Sequence, residues 1–274
     1  MSPVDTDGSA HNGAASHGPA RAVVVHPSAD ALAEATGARL LLAILDAQSV
    51  RHPVHVALTG GTVGIRLLER ARQTPLADAV DWTGVHLWWG DERFVPRADP
   101  ERNEGQARAA LIDHLPIPAQ NVHPMAATED AATAEEGAAA YAAELAAFGS
   151  GADGTAGAGP TLVFDVVLLG MGPDAHVASL FPGHPALGAT GTTAVAVHDS
   201  PKPPPDRISL TFEALESARQ VWLVVAGAEK SGAVRRALGG ATDVQETPAA
   251  VVAGRDVTLW LLDTAAAGAD PGLV

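Results

Sequence analysis

The chain has 274 residues, with 32 acidic against 17 basic side chains, a formal net charge of −15 and no cysteine. Such a field repels polyanions and argues against a nucleic-acid or anionic-membrane partner, while the missing thiols exclude disulfides, thiolate nucleophiles and cysteine-ligated zinc. At 47% hydrophobic residues the composition is globular, and the length allows one large or two small domains with a sizeable core. Residues 1–20 are small and polar, lack the apolar centre of a secretory signal, and read as a disordered tail. No apolar run nears the ~20 residues needed to cross a bilayer, so the expected location is the cytoplasm.

From residue 21 the pattern becomes regular. AVVVH reads as a strand, Ser28 or Asp30 as a helix start, and Leu32, Ala35, Leu40, Leu41, Ile44 and Leu45 recur at helical spacing. The same grammar returns in VHVALTGG with the helix TVGIRLLERAR, then in VHLWWGDERF, and in FDVVLLGMG followed by DAHVASLF. ATAEEGAAAYAAELAAF predicts a surface helix and GSGADGTAGAGP a flexible loop. QVWLVVAGAEK with SGAVRRALGG, and finally VTLWLLD, complete the series. These strands are near-continuous apolar runs, as burial on both faces requires. The expectation is a single α/β domain over residues 21–267, with a short tail at 268–274. Its core is a doubly wound, mostly parallel, Rossmann-like sheet with helices on both faces.

Ligands of such sheets bind beyond the carboxyl ends of the strands. After the second run, Gly60, Gly61 and Thr62 form a Gly-Gly turn into a helix, whose free N–H groups suit a phosphate; a tight turn capped by Thr62 is the competing reading. It lacks the Gly-Lys pair of a Walker A loop. After the third, Asp91, Glu92 and Arg93 put a guanidinium fork at the sheet opening, with Asp91 placed to orient it and Asn103 on the next helix facing the same space. An ordinary ion pair is the alternative there.

After FDVVLL comes Gly170-Met171-Gly172-Pro173-Asp174-Ala175-His176. Asp174 is expected to cap a short helix with His176 in its first turn, where the dipole keeps the imidazole neutral and able to activate water. The loop also fits the dinucleotide fingerprint G-x-G-x-x-A, but Pro173 removes an N–H from that cradle and His176 puts a titratable ring at the helix start. In PKPPPDRISLTF, consecutive prolines stiffen the segment that presents Lys202 and Arg207. The other histidines, among them His26, His55 and His86 within strands, read as structural or solvated. No ligand spacing points to a metal.

Taken together, LTGGT, WWGDERFVP with Asn103 downstream, LLGMGPDAHVASLFPG, KPPPDRISLTF, VVAGAEK and WLLDTAAA occur in an order that resembles the 6-phosphogluconolactonase family, over residues 21–267. The resemblance implies hydrolysis of 6-phosphogluconolactone in the oxidative pentose phosphate pathway, without metal or organic cofactor, on a fold like that of glucosamine-6-phosphate deaminase. It assigns His176 as base and Asp174 as the acid that shapes the site. It makes Gly60, Gly61 and Thr62 the phosphate turn, and Arg93, Lys202 and Arg207 the cations near the substrate. Asp91, Asn103 and Gly172 complete the expected binding set. The expected partner is a small sugar phosphate, and the expected state a monomer or weak homo-oligomer.

Two departures stand out. Ala175 replaces a usual Gly, which is expected to narrow the loop's backbone freedom, and Val63-Gly64 replaces the usual Thr-Pro, which is expected to loosen the helix start. Two rivals remain: a glucosamine-6-phosphate deaminase or isomerase on the same fold, against which ASLFPG after His176 speaks, and a non-catalytic sugar-phosphate sensor.

Overall fold

The computed structural model describes residues 20–149 and 162–268. Most of the expected N-terminal tail, nearly all of the glycine-rich loop and residues 269–274 lie outside the described residues. Strand β1 (Ala20–His26) leads into helix α1 (Ala29–Gln48), capped by Ser28, whose hydroxyl accepts the Ala31 N–H. Then come β2 (Val54–Leu58), α2 (Thr62–Gln73), β3 (Val85–Trp89), β4 (Asp91–Arg93), α3 (Asn103–Ala110) and α4 (Ala134–Gly149). The remainder comprises β5 (Val166–Leu169), β6 (Ala194–Val197), β7 (Arg207–Leu210), the short helix α5 (Phe212–Leu215) and β8 (Gln220–Val225). The chain closes with α6 (Ser231–Leu238), α7 (Pro248–Val251), β9 (Val257–Asp263) and α8 (Thr264–Ala267).

Six strands form one sheet in the order β1-β9-β8-β5-β2-β3, and every neighbouring pair is parallel. Its side chains alternate between two separate apolar clusters. On β5, Val167 and Leu169 join one, Val166 and Leu168 the other; on β8, Val221, Leu223 and Val225 oppose Trp222 and Val224. The period of two sends successive residues to opposite faces, and with helices on both faces nearly every position of the inner strands is buried. This is why the strands read as unbroken apolar runs. The edge strand β1, covered less, is the one with exposed positions.

Three features differ from the sequence expectation. VHLWWGDERF is two strands: after Gly90 the chain leaves the parallel sheet and β4 joins β7 and β6 in a small antiparallel sheet. Gly90 bonds to both sides, its N–H to Leu58 O at 2.9 Å and its carbonyl to Leu210 N–H at 2.8 Å. Helix α4 is not merely a surface element: Tyr141 and Leu145 are buried, and the Tyr141 hydroxyl accepts the Trp89 N–H at 2.9 Å. Finally, residues 174–181 form no helix. Ala175 and Ala178 have φ of +73° and +49°, left-handed values at which a right-handed helix cannot continue. A tight turn takes its place, closed by Gly172 N–H to His176 O and Ala175 N–H to Gly172 O, both at 3.0 Å.

Candidate active site

The strand order reverses between β2 and β5: from β2 the chain moves outward to β3, whereas from β5 it moves the other way through β8 and β9. Loops leaving two such strands diverge and open a crevice at their carboxyl ends. Here the two ends are tied by Thr59 Oγ1, which accepts the Gly170 N–H at 3.1 Å. Beyond them lies a cleft of about 250 Å³, and Gly60, Gly61, Asp91, Arg93, Asn103, Gly172, His176, Lys202 and Arg207 all line it. Thr62 lies around the corner, lining the two adjoining cavities.

His176 is held by Asp174, which sits behind it. The Asp174 Oδ1 to His176 Nδ1 distance is 2.6 Å, and the imidazole side chain is 14% exposed, so it is reachable from the cleft. Burial alone would raise the Asp174 carboxyl, but the hydrogen bond and charge of His176 and the charge of Lys202 outweigh it and hold the group at about 2. An ionised carboxylate only accepts, so the neutral form of the imidazole carries its proton on Nδ1 and leaves the Nε2 lone pair open. The expected helix dipole therefore plays no part; the carboxylate orients the ring instead. Without a following helix, the dinucleotide fingerprint also loses the structural context it needs.

Two glycines make room for this arrangement. A Cβ on Gly172 would stand 2.1 Å from His176 Nδ1 and 2.2 Å from Asp174 Oδ1. One on Gly60 would stand 1.8 Å from Asn103 Oδ1. That oxygen accepts from Arg93 Nη1, and the Asn103 amide donates to Asp91 O at 2.8 Å, so Asn103 links the β4 strand to its guanidinium. Glu92 sits beneath, accepting the Arg93, Asn103 and Glu104 N–H groups at 2.8 to 2.9 Å and so capping α3. Among the described residues, Arg93 Nε is buried with no hydrogen-bond partner, an orphan donor of the kind a bound anion would satisfy. Asp91 accepts the Ser179 hydroxyl at 2.6 Å and faces Arg207 Nη1 at 3.9 Å.

The structure gives Arg207 a second task. Its guanidinium donates to the carbonyls of Lys202, Pro203 and Pro204 at 3.0 to 3.2 Å, locking the proline-rich loop that delivers Lys202. At the helix start, Gly61 has φ +81° and, among the described residues, no side chain caps α2, so its first N–H groups lie free beside the cavities that Gly61 and Thr62 line. Gly64 does not loosen this end: a Cβ there would meet the Thr59 carbonyl at 2.9 Å, and its absence lets α2 approach β2 closely.

Lys230, just past β8, was not singled out from the sequence, yet it lines the same cleft. Burial and the nearby charge of Lys202 lower its pKa. The signal was present, since VVAGAEK is one more apolar run that delivers a cation at a strand's carboxyl end. By contrast, His55 and His86 lie at the opposite, amino-terminal ends of their strands, in a ring cluster with Trp88, His123 and Phe148. Among the described residues, no group of three or more His, Asp or Glu side chains is placed to hold a metal ion, and no helix is long and apolar enough to cross a membrane.

A doubly wound sheet whose strand reversal opens into a cation-lined cleft with a carboxylate–imidazole pair defines an α/β enzyme for small anionic substrates. The sequence profile of the glucosamine-6-phosphate isomerases and 6-phosphogluconolactonases matches residues 27–260, and the chain belongs to that family. It is 51% identical to the 6-phosphogluconolactonase of Streptomyces coelicolor over 251 residues, covering 91% of this chain and 94% of that one. Against the 6-phosphogluconolactonase of Mycobacterium tuberculosis it is 47% identical, covering 91% and 98%. The solved 6-phosphogluconolactonase of Trypanosoma brucei superposes with a TM-score of 0.76 at 29% identity, covering 91% and 97%. A monomeric glucosamine-6-phosphate deaminase shares the fold at 16% identity, with a TM-score of 0.73.

Proposed function

We propose that this protein hydrolyses 6-phosphogluconolactone to 6-phosphogluconate, with His176 as general base. One observation carries the reading: His176, backed by Asp174, lines a cleft that Arg93, Lys202, Arg207 and Lys230 also line, beside the start of a helix with no side-chain cap among the described residues. Nε2 of His176 takes a proton from water as the water oxygen attacks C1 of the lactone. Arg93, steadied by Asn103, or the loop N–H groups stabilise the oxyanion. The C1 to ring-oxygen bond then breaks, the ring oxygen receives the proton from the imidazolium, and the acid formed ionises. Gly60, Gly61, Thr62, Lys202 and Lys230 anchor the phosphate, which fixes C1 relative to the base. An activated ester needs no covalent nucleophile and no further group.

On this reading the enzyme works in the cytoplasm, as a monomer or weak homo-oligomer, on a diffusible sugar phosphate. The test is loss of 6-phosphogluconolactone above the spontaneous background at controlled pH, beside an assay for ammonia from glucosamine 6-phosphate. Lactone loss without ammonia supports the proposal. Ammonia release, or ligand binding with no turnover of either compound, rejects it.

A further inference from the structure

Three cavities meet at Gly61, the residue before α2: the cleft of about 250 Å³ and neighbours of about 540 and 410 Å³. Each pair of cavities shares one cation besides Gly61. Lys230 lies between the cleft and the larger neighbour, Arg93 between the cleft and the smaller, and Arg66 between the two neighbours. Three cationic side chains therefore surround one uncapped helix start. Two of them belong to the site described above; Arg66, one turn along α2 from Thr62, does not.

We infer that Arg66 is a specificity-determining residue, a third cation that reads the phosphate charge of the substrate. The inference rests on the proposed reaction. Its guanidinium pairs with Asp30 at the start of α1, with Nη1 to Oδ1 at 2.7 Å. Both partners are solvated, 39% and 71% exposed, so the pair is weak and gives way readily to a stronger anion. A phosphate near charge −2 is such an anion, and a guanidinium fork engages two of its oxygens at once. Arg66 lines the two neighbouring cavities and not the cleft that holds His176, so it acts on binding and leaves the chemical step alone. Arg70, the next arginine along α2, pairs with Glu34 at 3.6 Å, is equally exposed and lines none of the three cavities. It is the matched control for lost charge.

The experiment compares Arg66→Ala, Arg66→Lys, Arg70→Ala and Asp30→Asn with the parent on 6-phosphogluconolactone and on unphosphorylated gluconolactone. Arg66→Ala is expected to raise KM for the phosphorylated lactone about tenfold, the scale of one lost charge-assisted hydrogen bond, with kcat within about twofold. Arg66→Lys recovers part of that loss, Arg70→Ala and Asp30→Asn behave as the parent, and the unphosphorylated lactone is indifferent to residue 66. The inference is overturned if Arg66→Ala matches Arg70→Ala, if Asp30→Asn raises KM equally, or if both lactones suffer alike. Failure of the parent itself to hydrolyse the lactone rejects the reaction instead. In that event calorimetric binding of 6-phosphogluconate to the same variants decides the role of Arg66 by the same ordering.

Discussion

Ala175 and Gly172 show how single positions fix the geometry of the Asp174–His176 pair. Ala175 occupies a left-handed conformation at φ +73° and is fully buried. Placing a non-glycine residue there costs about 1–2 kcal/mol, whereas a glycine would lose about 0.8 kcal/mol for the buried carbon and ~0.5–1 kcal/mol in unfolded-chain entropy. These terms nearly cancel, so Ala175→Gly should change the urea-unfolding free energy by less than about 1 kcal/mol. Gly172→Ala is different in kind. Its Cβ collides with both members of the Asp174–His176 pair, and a displacement of about 1 Å at reacting atoms costs on the order of a hundredfold in rate. Steady-state kinetics should show kcat reduced to that extent with far-ultraviolet circular dichroism unchanged. His176, Asp174 and Arg93 were legible from the sequence because they follow apolar runs. The left-handed turn was not, because Pro-Asp-Ala-His has the composition of a helix start and nothing local announces a positive φ at alanine.

At the level of elements, the proline-rich loop before β7 depends on Arg207 more than on its prolines. Three carbonyls accept from one buried guanidinium, and lysine cannot reproduce that planar fork. Arg207→Lys is therefore expected to lower stability by about 1–3 kcal/mol through unpaired carbonyls and to raise KM by releasing Lys202, as read by chemical denaturation and kinetics on one preparation. If KM stays fixed while stability falls, the loop does not position the cation. The parallel strands could be read from their unbroken apolar runs, since burial on both faces leaves no polar alternation. The antiparallel sheet could not, because Asp91-Glu92-Arg93 read as the polar end of a single strand and only pairing with β7 reveals a second one.

Across the whole molecule, chemistry and stability sit at opposite ends of the sheet. At the amino-terminal end His86 bonds to His123 at 2.8 Å, His123 bonds to Glu144 at 2.6 Å, and the rings of His55 and Phe148 pack against His86. Burial first, and then the charge of His123, push the His86 imidazole down to about 4. Folding thus favours its neutral form, and the unfolded chain, titrating near its ordinary value, binds the proton first as the pH falls. The resulting contribution is full above about pH 6.5 and is lost between there and pH 4. Unfolding free energies at pH 8 and pH 5 should fall more for the parent than for His86→Phe; an equal fall in both would remove His86 as the cause. At the carboxyl-terminal end the proposed reaction depends on His176 as the acceptor of a proton from water. The most direct test is hydrolysis of 6-phosphogluconolactone by the parent and by His176→Ala, at fixed pH and corrected for the uncatalysed rate. The account predicts a loss of about 10²–10⁴-fold in kcat with 6-phosphogluconate still bound. Hydrolysis at the parental rate by the alanine variant would contradict it.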